Sequence, residues 1–174
     1  EFFFFQLGLA LRRQSTAARQ KDRNVVVNDW IRKSALSVLP FRLTGGQKQS
    51  LKDIVGDLQR SQPMNRLLQG DVGSGKTIVA LLAALVVMEN GYQVAVMSPT
   101  EILTEQHYFN LSRLLENSRF RAVKLTGTMT ASQRNAVSES LAVGDADLVV
   151  GTHALVQEEG KFKSLGLVVI DEQH

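Results

Sequence analysis

The chain contains no cysteine. That removes disulfide frameworks and thiolate metal sites, and it fits a reducing compartment. Proline is nearly as scarce: the three present, Pro40, Pro63 and Pro99, stand where apolar patterns stop. There is no internal repeat and no low-complexity tract, so neither a solenoid nor a disordered linker is expected. The apolar start, Phe2–Phe5, lacks a basic leader, and Arg12 and Arg13 follow it instead, the wrong order for a signal peptide. It is also too short to span a bilayer, and no membrane partner is expected. Neither sign of charge dominates: a formal net charge of +3 permits a polyanionic partner without demanding one.

What is present is ordinary material for a core. Its 174 residues, 44% hydrophobic and 21% charged, suit one domain and a little more. Both ends read as cut from something longer, since the chain opens on Glu1 and stops at His174 just after an apolar run.

The pattern is organised around Asn65–Thr77, a short apolar run that ends in a glycine-rich turn. Gly70, Gly75, Lys76 and Thr77 match G-x-x-x-x-G-K-[ST] at every fixed position. A triphosphate needs these residue types in this order. Glycines let the backbone of Gly70, Asp71, Val72, Gly73, Ser74 and Gly75 turn its N–H groups inward as a nest for anionic oxygens. Lys76 then places an ammonium on the outer phosphates, and the Thr77 hydroxyl is a ligand for Mg²⁺. The competing account, a plain turn before a helix, leaves the strand–loop–helix context unexplained. ATP with Mg²⁺ is the expected ligand.

Upstream, residues 1–23 read as a helix with a basic second half. A solvated helix end explains that charge more simply than a brace beside nucleic acid. Residues 24–40 read as a connector. A helix is expected over about 45–60, where Thr44 and Gln47 fit a capping box. An alternative role for Gln47 is to read an adenine edge, because an amide carries both donor and acceptor. Spacing alone leaves the two open.

Beyond Pro63 strand and helix alternate: a strand into the P-loop, helix 76–90, strand 93–98, helix 101–115, strand 121–125, helix 131–142, strand 147–151 and strand 166–171. Continuously apolar strands separated by helices mean a parallel sheet covered on both faces. Ligands then collect at the carboxyl ends of the strands. The last of those ends reads Gly166-Leu-Val-Val-Ile-Asp-Glu-Gln-His174. With a P-loop upstream, Asp171 is expected to hold Mg²⁺ opposite Thr77, and Glu172 to activate the attacking water. His107 and Tyr108 read as packing residues, and His153 has no clear role.

Gly70–Thr77, Pro99–Thr100, Thr126–Gly127, Gly151–His153 and Asp171–His174 resemble, in order, motifs I, Ia, Ib, Ic and II of superfamily 2 DExH helicases. The longer strings Leu39–Thr44 with Gln47, Pro63–Thr77 and Val150–Glu159 are similar to the RecG family of bacterial branch-migrating DNA helicases. Transcription-repair coupling translocases share much of the pattern, but their motif II usually reads Asp-Glu-Glu-Gln. Gly45-Gly46 also departs from the alanine or serine more usual before the glutamine.

The resemblance implies a RecA-like P-loop domain over 41–174, preceded over 1–40 by a helix and connector from the end of a wedge-domain region. It implies that Gln47 reads adenine, with Phe41 or Leu43 packing near the base. Thr100, Thr126 and Thr152 would meet a DNA phosphate backbone, and His174 would couple the two sites. It further implies branched or double-stranded DNA as partner, a second RecA-like domain beyond His174, and a bacterial, cytoplasmic, nucleoid-associated setting. The chain alone is then expected to bind ATP–Mg²⁺ weakly and hydrolyse it barely. A transcription-repair coupling double-stranded DNA translocase is the rival within the same superfamily, and a non-motor, ATP-sensing interaction module the rival from another class.

Overall fold

The computed structural model describes residues 20–21, 24–157 and 161–171. The helix expected over 1–23 therefore lies almost wholly outside the described residues, as do Glu172 and His174. The elements run α1 (Asp29–Ser37), α2 (Gly45–Gln59), α3 (Lys76–Glu89), β1 (Gln93–Met97), α4 (Glu101–Leu115), β2 (Ala122–Leu125), α5 (Ala131–Val143), β3 (Leu148–Gly151), α6 (Ala154–Gln157) and β4 (Leu165–Ile170). The four strands form one sheet in the order β2-β3-β1-β4, and every neighbouring pair is parallel.

Strand alternation divides the core in two. Val94, Val96, Leu148, Val150 and Leu167 point to one face, where they meet α3 and the inner residues of α4, Leu111 and Leu115. Ala95, Val149 and Leu125 point to the other, onto Leu141 of α5 and Leu155 of α6. Helix α3 is apolar nearly all round because it is covered nearly all round: α1 and α2 pack on it from outside, while β1 and β4 lie beneath. At about 2 kcal/mol for each fully buried Leu or Val, its residues Leu82, Leu85 and Val87 make it the chief anchor of the sheet.

Three expectations need correction. The stretch 24–40 is not a plain connector. Asn28 caps α1, accepting from the Ile31 N–H at 2.8 Å, and Ile31 and Ala35 bury one face of it against the main core. Just before it, the Asn90 side chain pairs with both the N–H and the carbonyl of Val26, at 2.8 and 3.0 Å. Second, the run leading into the P-loop is not a strand. Both sides of β1 are already taken by β3 and β4, and residues 65–70 form no ladder with β4. Arg66 is drawn to Asp57 instead, at 2.6 Å, and Leu67 is 68% exposed. Third, β4 is incompletely covered among the described residues: Val168 and Ile170, in register with Ala95 and Met97 on the α5–α6 side of the sheet, are about half exposed.

Candidate active site

Four helices begin on a side chain that caps their first turn: Asn28 for α1, Thr44 for α2, Thr100 for α4 and Thr130 for α5. Helix α3 begins on Gly75, which has none to offer. The Lys76 and Thr77 N–H groups are thus left for an anion, with the positive end of the helix dipole behind them, while the Ile78 N–H turns onto the Gly75 carbonyl at 3.0 Å. Gly75 is needed here twice over: its φ is +85°, and an added Cβ would lie 2.4 Å from the Gln47 amide nitrogen. Asp71 to Ser74 form the tight turn, closed by the Ser74 N–H on the Asp71 carbonyl at 3.1 Å, and Val72 stands fully in solvent. The Lys76 ammonium folds back over the loop and donates to the Gly70 and Asp71 carbonyls at 2.7 and 2.9 Å. Thr77 is exposed.

The two roles weighed for Gln47 turn out to be compatible. Its carbonyl accepts from the Thr44 N–H at 3.0 Å and its own N–H reaches the Thr44 hydroxyl, so the capping box is complete. Its amide nitrogen meanwhile donates to the Ser74 carbonyl at 2.9 Å, fastening α2 to the P-loop. A primary amide has two N–H donors and two lone pairs. One of each remains, the complement an adenine edge requires. Of the two candidates for packing on a base, Leu43 is buried in the core while Phe41 is half exposed and lines a cleft of about 950 Å³.

Thr77 and His107 line that same cleft. His107 is not simply a packing residue. Its Nε2 lies 2.6 Å from Asp171 Oδ2, and because a carboxylate only accepts, the ring proton sits on Nε2. Asp171 is itself fixed to the end of β1 by its N–H on the Met97 carbonyl at 2.8 Å. No local pattern announces this pair, since its members lie 64 residues apart.

The three threonines read as DNA contacts differ in surroundings. Thr100 is exposed; its hydroxyl accepts from the Leu103 N–H at 3.3 Å, which leaves its own proton to donate. Thr152 is partly exposed, and its N–H is held by the Leu125 carbonyl. Thr126 is 3% exposed, and its hydroxyl faces that of Thr128 at 3.1 Å. Its side chain does not reach the surface, so the expectation for it moves to its neighbours Gly127 and Thr128, which do. Glu101, at the start of α4, holds this loop through the Thr128 N–H and hydroxyl at 3.0 and 3.1 Å.

The model of the family described as DEAD/DEAH box helicase matches residues 44–174, from the capping box of α2 to the end of the chain. The chain belongs to this helicase family. Among curated relatives it is similar to the ATP-dependent DNA helicase RecG of Aquifex aeolicus, 49% identical over all of this chain and 22% of that protein. The RecG of Streptococcus pneumoniae is 45% identical over all of this chain and 26% of its own length. This helicase chain thus spans about a quarter of the relatives it matches. A solved structure described as RecG bound to a three-way DNA junction superposes with a TM-score of 0.89, 41% identity, 99% of this chain and 24% of that one. A hypothetical ATP-dependent RNA helicase from Sulfolobus tokodaii shares the fold, with a TM-score of 0.57. The parallel α/β sheet therefore has the RecA-like helicase fold.

Membership implies use of ATP with a metal. The donor set fits a hard cation. The Thr77 hydroxyl and the Asp171 carboxylate are oxygen donors of the kind such a cation takes. Among the described residues no group of three or more His, Cys, Asp or Glu side chains gathers as a caged metal site. No helix among them is long and apolar enough to cross a membrane.

Proposed function

We propose that this chain is the ATP-binding part of a RecG-type motor, which hydrolyses ATP to remodel branched DNA such as stalled forks and Holliday junctions. The observation that carries this reading is the convergence at one cleft: Thr77 and His107 line it, and His107 holds Asp171. The names of the relatives, and the three-way DNA junction bound in the superposed RecG structure, supply the substrate class.

Bound with nucleotide, Mg²⁺ would neutralise charge developing between the outer phosphates, ligated by Thr77 and Asp171. The chain's own groups do the rest. The turn from Gly70 to Gly75 cradles the phosphates with backbone N–H groups, and Lys76 leaves the loop carbonyls for stronger, charge-assisted bonds to phosphate oxygen. Gln47 and Phe41 hold the base, and Glu172 takes a proton from the attacking water. Thr100, the exposed Gly127–Thr128 loop and Thr152 meet the sugar-phosphate backbone, which positions a moving protein without reading sequence. A second RecA-like domain closes on the site in this scheme and supplies the arginine that stabilises transferred charge. The setting is bacterial, cytoplasmic and nucleoid-associated.

The test is binding of a fluorescent ATP analogue to the chain with Mg²⁺. Lys76→Ala is expected to weaken it at least about tenfold, since a charge-assisted bond contributes about 1.5–3 kcal/mol. Unaltered affinity in that variant contradicts the reading.

A further inference from the structure

We propose that His107 is a positioning residue for the Asp171 carboxylate, and that α4 carries this contact as a rigid link from the exposed loop at Thr100. The inference rests on the reading of Asp171 as a metal-holding group, and goes past it by assigning a histidine that the P-loop and Asp-Glu motifs do not contain.

Asp171 ends an edge strand, next to residues with half-exposed side chains, and has 37% of its own side chain exposed. A carboxylate there is free to rotate unless something holds it. The backbone bond to Met97 fixes where Asp171 starts but not where its oxygens point. His107 does that: its ring, 14% exposed, donates from Nε2 to Oδ2 and leaves Oδ1 for a cation or its bound water. Carboxylates that ligate metals are commonly oriented by such a second partner.

Helix α4 is well placed to hold the ring still. Leu111 and Leu115 are buried against the sheet, and Thr104, also buried, donates its hydroxyl to the Thr100 carbonyl at 2.9 Å. The same helix begins at Thr100 and, through Glu101, grips the loop at Thr128. A displacement of either loop would thus be delivered to Asp171 through about two helical turns. Asn and Gln side chains are the obvious neutral stand-ins for a ring nitrogen, and Gln reaches furthest along the Nε2 direction.

Mn²⁺ uptake with a non-hydrolysable ATP analogue, followed by electron paramagnetic resonance on the whole chain, tests this without turnover. His107→Ala is expected to weaken Mn²⁺ binding about tenfold, and His107→Gln to restore most of it. Leu111→Ala, which loosens the same helix from the core, is expected to lower the melting temperature while leaving Mn²⁺ affinity closer to that of the unaltered chain than His107→Ala does. If His107→Ala binds Mn²⁺ as the unaltered chain does while Asp171→Asn does not, the histidine has no such role. Failure of His107→Gln to restore binding would overturn the proposal equally. If the unaltered chain takes up no Mn²⁺ with nucleotide, the reading of Asp171 itself fails, and this proposal with it.

Discussion

Gln47 shows how much one side chain can be asked to do. Its carbonyl completes the cap of α2, and its amide nitrogen holds the P-loop at Ser74. Gln47→Ala is therefore expected to lower stability by about 1 kcal/mol, as loss of a cap does. The same variant is expected to lose preference for ATP over GTP in competition binding. Retained preference would leave the residue as a cap and a loop fastener only. The tight turn of the P-loop and the Thr44–Gln47 capping box were legible because their partners lie within a few positions. His107 was not, because the carboxylate that gives it meaning lies 64 residues on, just past β4. Thr126 misled for the opposite reason: its sequence position is next to an exposed turn, but its side chain points inward.

At the scale of elements, the most consequential unread residue is Gln93. It is 5% exposed at the start of β1, and its side-chain bonds all go to backbone. It donates to the Leu141 and Ala146 carbonyls at 2.8 Å each and accepts from the Ser164 N–H at 3.0 Å. One amide therefore ties the end of α5 and the approach to β4 onto the central strand. Gln93→Leu removes the amide that the buried Ala146 carbonyl accepts from, while the Leu141 carbonyl keeps the Lys163 N–H at 3.2 Å. The expected loss is about 1–3 kcal/mol in urea unfolding, and no change would mean that water replaces the amide.

Asp57 offers a second test. Its hydrogen bond from Arg66 holds the carboxyl below the usual carboxylate range, helped by the charges of Arg66 and Arg60 and opposed by burial. A depressed folded value means stability that is fully present above the unfolded pKa of about 4 and lost as pH falls through the folded one. Acidification below about pH 4 is expected to cost the unaltered chain more than Asp57→Asn, measured by thermal melts across pH. Parallel curves would show that the pair contributes nothing.

Most element boundaries were readable because strand and helix periods are local. Helix α1 was hidden because Trp30 and Leu36 are exposed on it, which blurs the apolar stripe that Ile31 and Ala35 form. The run before the P-loop failed in the other direction. Its leucines suggest a strand, but a strand exists only through its ladder, and that is decided by which neighbours are free.

For the whole molecule, the sheet order brings the ends of β1 and β4 together. That sets Asp171, just past β4, against the end of β1 and within reach of His107 on α4. The alternation of elements was enough to expect a parallel sheet and its ligand edge. It was not enough to expect an order with β1 in the interior, since order depends on contacts between distant strands. The central claim is that Thr77 and Asp171 share one metal on one nucleotide. A crystal structure of the chain with Mg²⁺ and a non-hydrolysable ATP analogue tests it directly. The account predicts a metal between the Thr77 hydroxyl and the Asp171 carboxylate, directly or through water, with Lys76 moved from the Gly70 and Asp71 carbonyls onto phosphate. Nucleotide bound with Lys76 still on those carbonyls, or a metal out of reach of Asp171, would contradict it.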